Sequence, residues 1–314
     1  MKCPICTGGK IEKIDLLMRL QNKDTSYPIS QCQECHSYYF DPIPTDTALE
    51  AHYSDGYNFY RGNNPKQFGR GQGFAEVYLH PHKQHGTLLD IGCGAADFLL
   101  GIEKQSEWKT TGLDINENAI NDASQRTGLE LIYGDIFSPQ LDGKSFDCIH
   151  LRDVIEHVPA PKRFLERATD LLTPDGFIYV RIPNGTNEIK PKIRQFNKDR
   201  QAALTTPGHI FYISNNGFQK LTNHTGLEIA SSKSFGLKNG LRNLGLFPIP
   251  KRSHLTNPKK SSPTTISNSS KTTFQHTAEK AANKFIRQER NLRRGANRFY
   301  LEHIYLLIKS RSTS

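Results

Sequence analysis

The stretch "LLDIGCGAAD", residues 88–97, constrains the fold more than any other part of the chain. It has the pattern of an apolar strand that ends in a glycine turn, and the following "FLLGIEKQ" has the pattern of a helix start. A strand, a tight glycine turn and a helix N-terminus together are typical of a nucleotide site, because the free N–H groups of the helix start can face a ligand.

From Thr87 onward, short apolar strands alternate with helical patterns. The predicted strands are "TLLDI", "TTGLD", "LELIY", "FDCIHL", "GFIYVRI", "LEIASSKSF" and "EHIYLLIKS". The predicted helices are "NENAINDASQRTG" and "APKRFLERATDLLTPDG", both ending at a glycine, and "SNNGFQKLTNHTG" with Ser214 as its cap. This alternation predicts right-handed βαβ units and a parallel sheet.

The residues around the glycine turn decide which nucleotide it suits. Gly92 and Gly94 match the dinucleotide pattern G-x-G-x-x-G, but Asp97 occupies its third glycine position, and no Gly-Lys-Ser/Thr ending is present. Asp114 ends the second predicted strand, where an acid can accept both ribose hydroxyls, and Asp135 follows the third, where an acid can accept from an adenine amino group. The pattern predicts a site for an adenosine that carries no phosphate.

With these landmarks, residues 87–235 resemble a class I S-adenosylmethionine-dependent methyltransferase; further matching segments are "FDCIHLRDVIEHVPAPKRFL" and "LLTPDGFIYVRIPN". The departure is Ala96, which is a glycine in most of that family. The resemblance implies an α/β fold with a seven-stranded Rossmann-like sheet, parallel except for an antiparallel last strand, and S-adenosylmethionine as cofactor. The residues that it places in the cofactor site are Asp90, Gly92, Gly94, Asp114, Ile115, Asp135, Ile136 and Leu151.

Four of the six cysteines form two C-x-x-C pairs 25 residues apart, namely Cys3, Cys6, Cys32 and Cys35. This spacing suits tetrahedral thiolate coordination of a structural zinc ion in a unit too short for a core of its own. A zinc ribbon before such a core narrows the resemblance to the methyltransferase type 23 group, zinc-ribbon enzymes that include some acting on sugar nucleotides. Cys93 and Cys148 are expected to be small apolar filling.

The sequence divides into five predicted segments: a zinc ribbon (1–42), a linker with a lid or helical segment (43–86), the cofactor-binding core (87–235), a basic insertion (236–298) and the last core strand (299–314). Within 43–86, "KQFGRGQGFAEVYLHPH" predicts a helix that stops at Pro81. The N-terminus lacks the apolar run of an export signal, and no stretch is apolar enough for a membrane span, so we expect a cytoplasmic protein.

Positive charge is concentrated in the insertion, which holds 14 lysines and arginines against two acids. Since the whole chain has a net charge of +10, the rest of it sums to −2, which makes nucleic acid a less expected partner. The alternatives for residues 236–298 are a surface for a polyanion, an anionic membrane or a pyrophosphate-linked substrate, and a solvated, partly disordered insertion.

The catalytic candidates are three titratable residues that follow the fourth and fifth core strands. His209 is the first candidate for a base that takes a proton from the acceptor, and Glu156 and His157 are the others. Together with Asp153, the latter two also resemble the acid-acid-His cluster of quinone-biosynthesis O-methyltransferases, where it can hold a divalent metal. Tyr57 and Tyr60, with Tyr53, could form an aromatic lid over the acceptor, although they could equally pack between ribbon and core.

These features favour methyl transfer from S-adenosylmethionine to a carbohydrate-type or other small hydroxylated metabolite, by O- or C-methylation. One alternative is an RNA methyltransferase that uses the zinc ribbon and the basic insertion. The other is a non-catalytic module that binds its partner through the same two segments.

Overall fold

The computed structural model describes residues 2–54, 62–198, 203–235 and 302–310. The strands are β1 (Ile11–Leu20), β2 (Ser26–Cys32), β3 (Tyr38–Phe40), β4 (Thr87–Ile91), β5 (Lys109–Asp114), β6 (Glu130–Tyr133), β7 (Phe146–Arg152), β8 (Leu172–Pro183), β9 (Leu204–Thr206), β10 (Phe211–Tyr212), β11 (Leu227–Phe235) and β12 (Glu302–Lys309). The helices are α1 (Asp46–Ser54), α2 (Pro65–Phe74), α3 (Asp97–Gln105), α4 (Glu117–Thr127), α5 (Pro161–Asp170), α6 (Gly185–Lys198) and α7 (Asn215–Asn223).

The core is a seven-stranded sheet in the order β11-β12-β8-β7-β4-β5-β6. β4 pairs in parallel with β5 and β7, which continue in parallel to β6 and β8, whereas β12 is antiparallel to both of its neighbours. The predicted fold is therefore confirmed, including the antiparallel last strand. The strand order reverses between β4 and β7, and in such sheets the crevice beyond the strand ends at this point takes the ligand.

Most of the predicted helix ends are found where the local chemistry places them. Asn116 caps α4 by accepting from the N–H of Ala119, Gly128 ends it with a positive φ of 69°, and Ser214 caps α7. The prediction for α5 was wrong at its C-terminus, which lies at Asp170 instead of Gly176. β8 already begins at Leu172, because pairing with β7 overrides the local glycine signal.

A second, five-stranded sheet joins the N-terminal segment to the core, in the order β10-β3-β2-β1-β9. Its two edge strands, β9 and β10, come from residues 204–212, which follow the core strands β4 to β8 in the sequence. The buried apolar side chains of this sheet belong to the same hydrophobic cluster as one face of the core sheet, which includes Leu89 of β4, Leu151 of β7 and Ile178 of β8. The N-terminal sheet thus borrows strands and core from the rest of the chain, as expected of a segment that is too short to bury a core alone.

Three of the predicted features lie outside the described residues: Tyr57, Tyr60 and the basic insertion 236–298. Among the residues that are described, no helix combines the length and the apolar character needed to cross a bilayer.

Candidate active site

The glycine turn after β4 adopts a conformation that demands positive φ angles. Gly92 and Gly94 have φ of 80° and 53°, and Ala96 is also left-handed, with φ of 58°. A glycine adopts this conformation without steric cost, whereas an alanine costs about 1–2 kcal/mol. The backbone therefore explains why a glycine would suit position 96, and the strain of Ala96 is small enough for the fold to accept.

Asp114 lies at the C-terminal end of β5 and holds the turn in place. Its two carboxylate oxygens accept the N–H groups of Gly94 and Asn116, each at 2.9 Å. Burial raises the pKa of Asp114 above its ordinary value, although these backbone N–H groups oppose the shift. The carboxylate also lines a large cavity, toward which its remaining lone pairs can accept further hydrogen bonds.

This large cavity, of about 1000 Å³, opens beyond the C-terminal ends of the central strands. One side, here called the glycine-turn wall, consists of residues 91–92, 113–115 and 133–137. It presents the exposed Asp135 between three large apolar side chains that are 38–53% exposed, those of Ile115, Tyr133 and Phe137. Apolar side chains around two acids are what a flat heterocycle attached to a diol would require.

Seven of the eight residues assigned to the cofactor site line a cavity. The large cavity is lined by Asp114, Ile115, Asp135 and Ile136. A smaller cavity of about 260 Å³ is lined by Asp90 and Gly94, and Gly92 lines both cavities. Leu151 does not, and its assignment is corrected here: its side chain is fully buried in the core. Side chains alternate along a strand, so its neighbours His150 and Arg152 face the smaller cavity while Leu151 points to the opposite face of the sheet.

A second part of the lining of the large cavity, here called the histidine wall, consists of residues from 21–22, 46–53, 157–164 and 207. His157 lies on this wall, and its Nδ1 is 2.8 Å from the hydroxyl of Tyr53, which lines the cavity beside it. Burial lowers the pKa of His157 to about 3, and the neighbouring His209 adds to the effect. The imidazole is therefore neutral at physiological pH.

Glu156, His157 and His209 form one cluster, with potential ligand atoms within 4.8 Å of one another. Asp153, which the resemblance grouped with Glu156 and His157, is not part of it. One carboxylate and two imidazoles at this spacing could share a proton or hold a divalent cation. The structure thus brings the three catalytic candidates together. In this cluster His209 takes the place that the resemblance gave to Asp153.

His209 stands behind His157 and does not line the cavity, contrary to what its rank as first candidate would require. The two rings meet edge to face at 4.7 Å, and Nδ1 of His209 lies 2.8 Å from a carboxylate oxygen of Glu188. Burial alone would lower the pKa of His209, but the hydrogen bond to Glu188 and the negative charges of Glu188 and Glu156 together raise it. Positive charge on His209 would add to the effect of burial, which is the main reason why the pKa of His157 is low.

Glu156 is fully enclosed, and neither of its carboxylate oxygens has a hydrogen-bond partner among the described residues. Burial raises its pKa to about 8, against the attraction of His209. A carboxyl group with such a pKa can exchange a proton near physiological pH.

The four N-terminal cysteines converge as their spacing predicts. All four are buried with their sulfurs within 4.8 Å of one another, and the pairs Cys3–Cys35 and Cys6–Cys32 are 3.8 and 3.6 Å apart. These distances exceed a disulfide bond and match the edge of a tetrahedron of about 3.8 Å that Zn–S bonds of about 2.3 Å generate. The four thiolates would hold a zinc ion and leave it no open position.

Sequence reasoning missed most of the histidine wall. Glu188, which binds His209, lies on α6, and the polar side chains of Gln21, Asn22, Asp46, Glu50 and His52 come from the N-terminal half of the chain. None of them belongs to a local motif, so only the pairing of distant strands could have revealed them.

Comparison with known proteins agrees with the motifs. A family model described as a methyltransferase domain matches residues 70–232. The ubiquinone biosynthesis O-methyltransferase of Caulobacter vibrioides is 34% identical over 106 residues, which are 32% of this chain and 42% of that protein. Its counterpart from Paraburkholderia phytofirmans is 27% identical over 112 residues, 33% of this chain and 47% of that protein. The match therefore spans less than half the length of these curated relatives.

Among solved structures, an S-adenosylmethionine-dependent methyltransferase from Archaeoglobus fulgidus superposes with a TM-score of 0.45 and 17% identity, over 82% of this chain and 99% of that one. The plantazolicin methyltransferase in complex with S-adenosylhomocysteine gives 0.46 and 19%, over 84% and 94%. Strand order and the family model, rather than these superpositions, make the assignment. The chain belongs to the family of S-adenosylmethionine-dependent methyltransferase domains.

Proposed function

We propose that the protein transfers a methyl group from S-adenosylmethionine to a carbohydrate-type or other small hydroxylated metabolite. The observation that carries this proposal is that one cavity has both Asp114 and Asp135 on its glycine-turn wall and the Tyr53–His157 pair on its histidine wall. A methyl donor and a proton acceptor would thus share one cavity.

In this proposal the glycine-turn wall holds the adenosine. Asp114 accepts the ribose hydroxyls, Asp135 accepts from the adenine amino group, and the exposed side chains of Ile115 and Tyr133 cover the base. Such contacts fix the donor without any step of chemistry, because a sulfonium is already activated and what remains is alignment.

The reaction is an in-line displacement at the methyl carbon. A lone pair of the acceptor oxygen, or of a carbanion, forms the new bond while the C–S bond breaks and its electron pair returns to sulfur. The proton of the acceptor passes to the Tyr53–His157 pair, which lines the cavity. We therefore assign proton acceptance to His157, with Glu156 and His209 acting behind it as groups that set its charge and position.

The composition of the histidine wall supports a hydroxylated acceptor. Gln21, Asn22, Asp46 and His52 offer amide, carboxylate and imidazole groups, which suit hydroxyl groups as donors and acceptors, and Leu49 adds an apolar surface. Whether the acceptor atom is oxygen or carbon does not alter the need for a base at this wall.

The proposal is tested in two steps. First, calorimetric titration of the full chain should show binding of S-adenosylmethionine and none of NAD. Second, in a methylation assay against a panel of sugar nucleotides and free sugars, His157→Ala should lower turnover by about 10²- to 10⁴-fold with unchanged cofactor affinity. His224→Ala, an exposed histidine at the end of α7, is the control. If the protein binds the cofactor but methylates none of the hydroxylated compounds, the family assignment stands and the proposal of a hydroxylated acceptor is wrong.

A further inference from the structure

Asp90 and His150 form a buried pair on neighbouring strands, outside the large cavity. They are directly opposite in the register of β4 and β7, and both are only 4% exposed. Nδ1 of His150 lies 2.6 Å from Oδ1 of Asp90. Both residues line the smaller cavity beside the glycine turn.

Three aromatic rings hold the imidazole of His150. Phe98 and Tyr179 stack on its two faces, with ring centroids 4.5 and 5.0 Å away, and Phe74 meets it edge to face at 5.1 Å. A ring stacked on both faces cannot turn without displacing its neighbours, so Nδ1 stays directed at Asp90. Packing of this kind fixes the geometry of the pair more firmly than the hydrogen bond alone.

The other two carboxylates of the smaller cavity are compensated by arginines. Asp97 accepts a hydrogen bond of 2.7 Å from Arg126, and Asp153 lies 3.5 Å from both Arg152 and Arg181. Among the described residues, Asp90 has no arginine partner. The single hydrogen bond of its side chain is the one with His150. It is therefore the carboxylate whose charge is available to a cationic group in this cavity.

The hydrogen bond also determines which oxygen is available. A carboxylate oxygen accepts and an imidazole N–H donates, so in this pair the geometry assigns the donor to Nδ1 of His150 and the acceptor to Oδ1. Oδ2 is left for a ligand, and its direction follows from the fixed position of Oδ1.

We propose that His150 is a positioning residue that orients Asp90 to accept from the ammonium group at the amino-acid end of S-adenosylmethionine. This inference rests on the proposed cofactor function and extends it to a residue that the resemblance does not place in the cofactor site. The adenosine end is bound in the large cavity, and Gly92, which lines both cavities, marks where the two ends of the donor meet.

The test compares two ligands and three variants of the full chain by calorimetry. S-adenosylhomocysteine carries the ammonium group, whereas 5′-methylthioadenosine lacks the amino-acid end. His150→Phe keeps a ring in the stack without a donor, His150→Asn keeps an N–H near the position of Nδ1, and His150→Gln moves the donor away from it. Thermal unfolding of each variant reports whether it is folded.

We expect His150→Phe and His150→Gln to weaken S-adenosylhomocysteine by about 10- to 100-fold, the loss typical of a hydrogen bond to a charged group, and His150→Asn to restore most of the affinity. Binding of 5′-methylthioadenosine should change less than about twofold in all three. In Asp90→Asn, adding His150→Phe should cause little further loss, since the two residues act as one unit.

Equal weakening of both ligands would overturn the inference, because His150 would then support the whole site structurally. Equal affinity of the Asn and Gln variants would overturn it as well. If the wild-type protein bound neither ligand, the proposed cofactor function itself would fail together with this inference.

Discussion

The two walls of the large cavity are built in different ways. The glycine-turn wall comes from consecutive βα units, in which Gly92, Asp114 and Asp135 each lie at or just beyond the C-terminal end of a parallel strand of one sheet. The histidine wall is assembled from the N-terminal sheet, α1 and the loops that contain His157 and Pro207. One wall therefore depends on local motifs, and the other depends on strand pairing between distant segments.

The dependence of the histidine wall on the N-terminal sheet is visible in its hydrogen bonds. His209 lies between β9, which pairs with β1, and β10, which pairs with β3. The hydroxyl of Ser214, the cap of α7, donates to the carbonyl of Cys35. The cysteine knuckle is thus hydrogen-bonded to the segment that directly follows His209 and β10.

Removal of a zinc ligand should affect the histidine wall far more than the glycine-turn wall. Cys35→Ala should release zinc and loosen the N-terminal sheet, because a structural metal site contributes its binding energy to folding. We expect methyl transfer to fall more than about 100-fold, as for loss of the base, while the affinity for S-adenosylmethionine stays within about threefold. Zinc content, calorimetry and limited proteolysis measure the three effects.

The matched control for this change is Cys148→Ala, a buried cysteine in β7 that is not part of the knuckle. It should lower stability slightly and leave zinc content unchanged. Joint loss of cofactor binding and methyl transfer in Cys35→Ala alone would show that the two walls are one cooperative unit.

The second largest effect is expected at the glycine-turn wall. Asp114→Asn should weaken cofactor binding by about 10- to 100-fold and leave zinc content unchanged, because the ribose loses a charged acceptor. Since burial raises the pKa of Asp114, wild-type binding should weaken as the pH falls through that raised value and the carboxylate takes up a proton, while binding to the asparagine variant should not.

Calorimetric titrations across pH would measure this dependence, with Asp122→Asn, an exposed acid on α4, as control. A wild-type affinity that is flat over the same pH range would remove Asp114 from the ribose site.

Glu156 distinguishes the two walls by its effect on stability, because burial of its charged carboxylate behind the histidine wall lowers the free energy of unfolding. Its pKa is raised to about 8, so at pH between its ordinary value and 8 the folded protein keeps a proton that the unfolded chain has released. Stability should therefore fall as the pH rises across this window and level off above it. Glu156→Gln should abolish that slope and be more stable than wild type at pH 8, by an amount on the order of a few kcal/mol.

Denaturant unfolding at several pH values would measure the slope. The control is Glu166→Gln, which removes a half-exposed acid from the surface of α5. An unchanged slope in Glu156→Gln would mean that its carboxyl is not the group that titrates.

The smallest effect concerns the strain in the glycine turn. Ala96→Gly should relieve a left-handed alanine, and Ala95→Gly, whose backbone is not left-handed, should gain nothing. Both variants add the same flexibility to the unfolded chain, so the difference between their unfolding free energies isolates the strain, and we expect about 1 kcal/mol in favour of Ala96→Gly. An equal stability of the two variants would contradict the left-handed conformation of Ala96.

The fold and one wall of the site were predictable because their signals are local. The seven core strands, the cap at Asn116 and the acids at positions 114 and 135 follow from hydrophobic period and strand-end chemistry within windows of about a dozen residues. The spacing of the two cysteine pairs likewise predicts a tetrahedral metal site.

The other wall was less predictable because its residues are neighbours only in space. His209, Glu156 and His157 could be named, but their order in the site could not, since nothing local shows that His157 faces the cavity and His209 stands behind it on Glu188. The assignment of Leu151 failed for a related reason, since the face to which a strand residue points depends on the register of the sheet.

The sequence by itself determined the sheet type and the positions of the candidate nucleoside acids and cysteine ligands, because each depends on spacing along the chain. Only the tertiary structure decided which side chains face the large cavity, which acid has no arginine partner beside the glycine turn, and how the cysteine knuckle contacts the segment that follows His209. These depend on which distant strands pair, and pairing is a property of the whole folded chain.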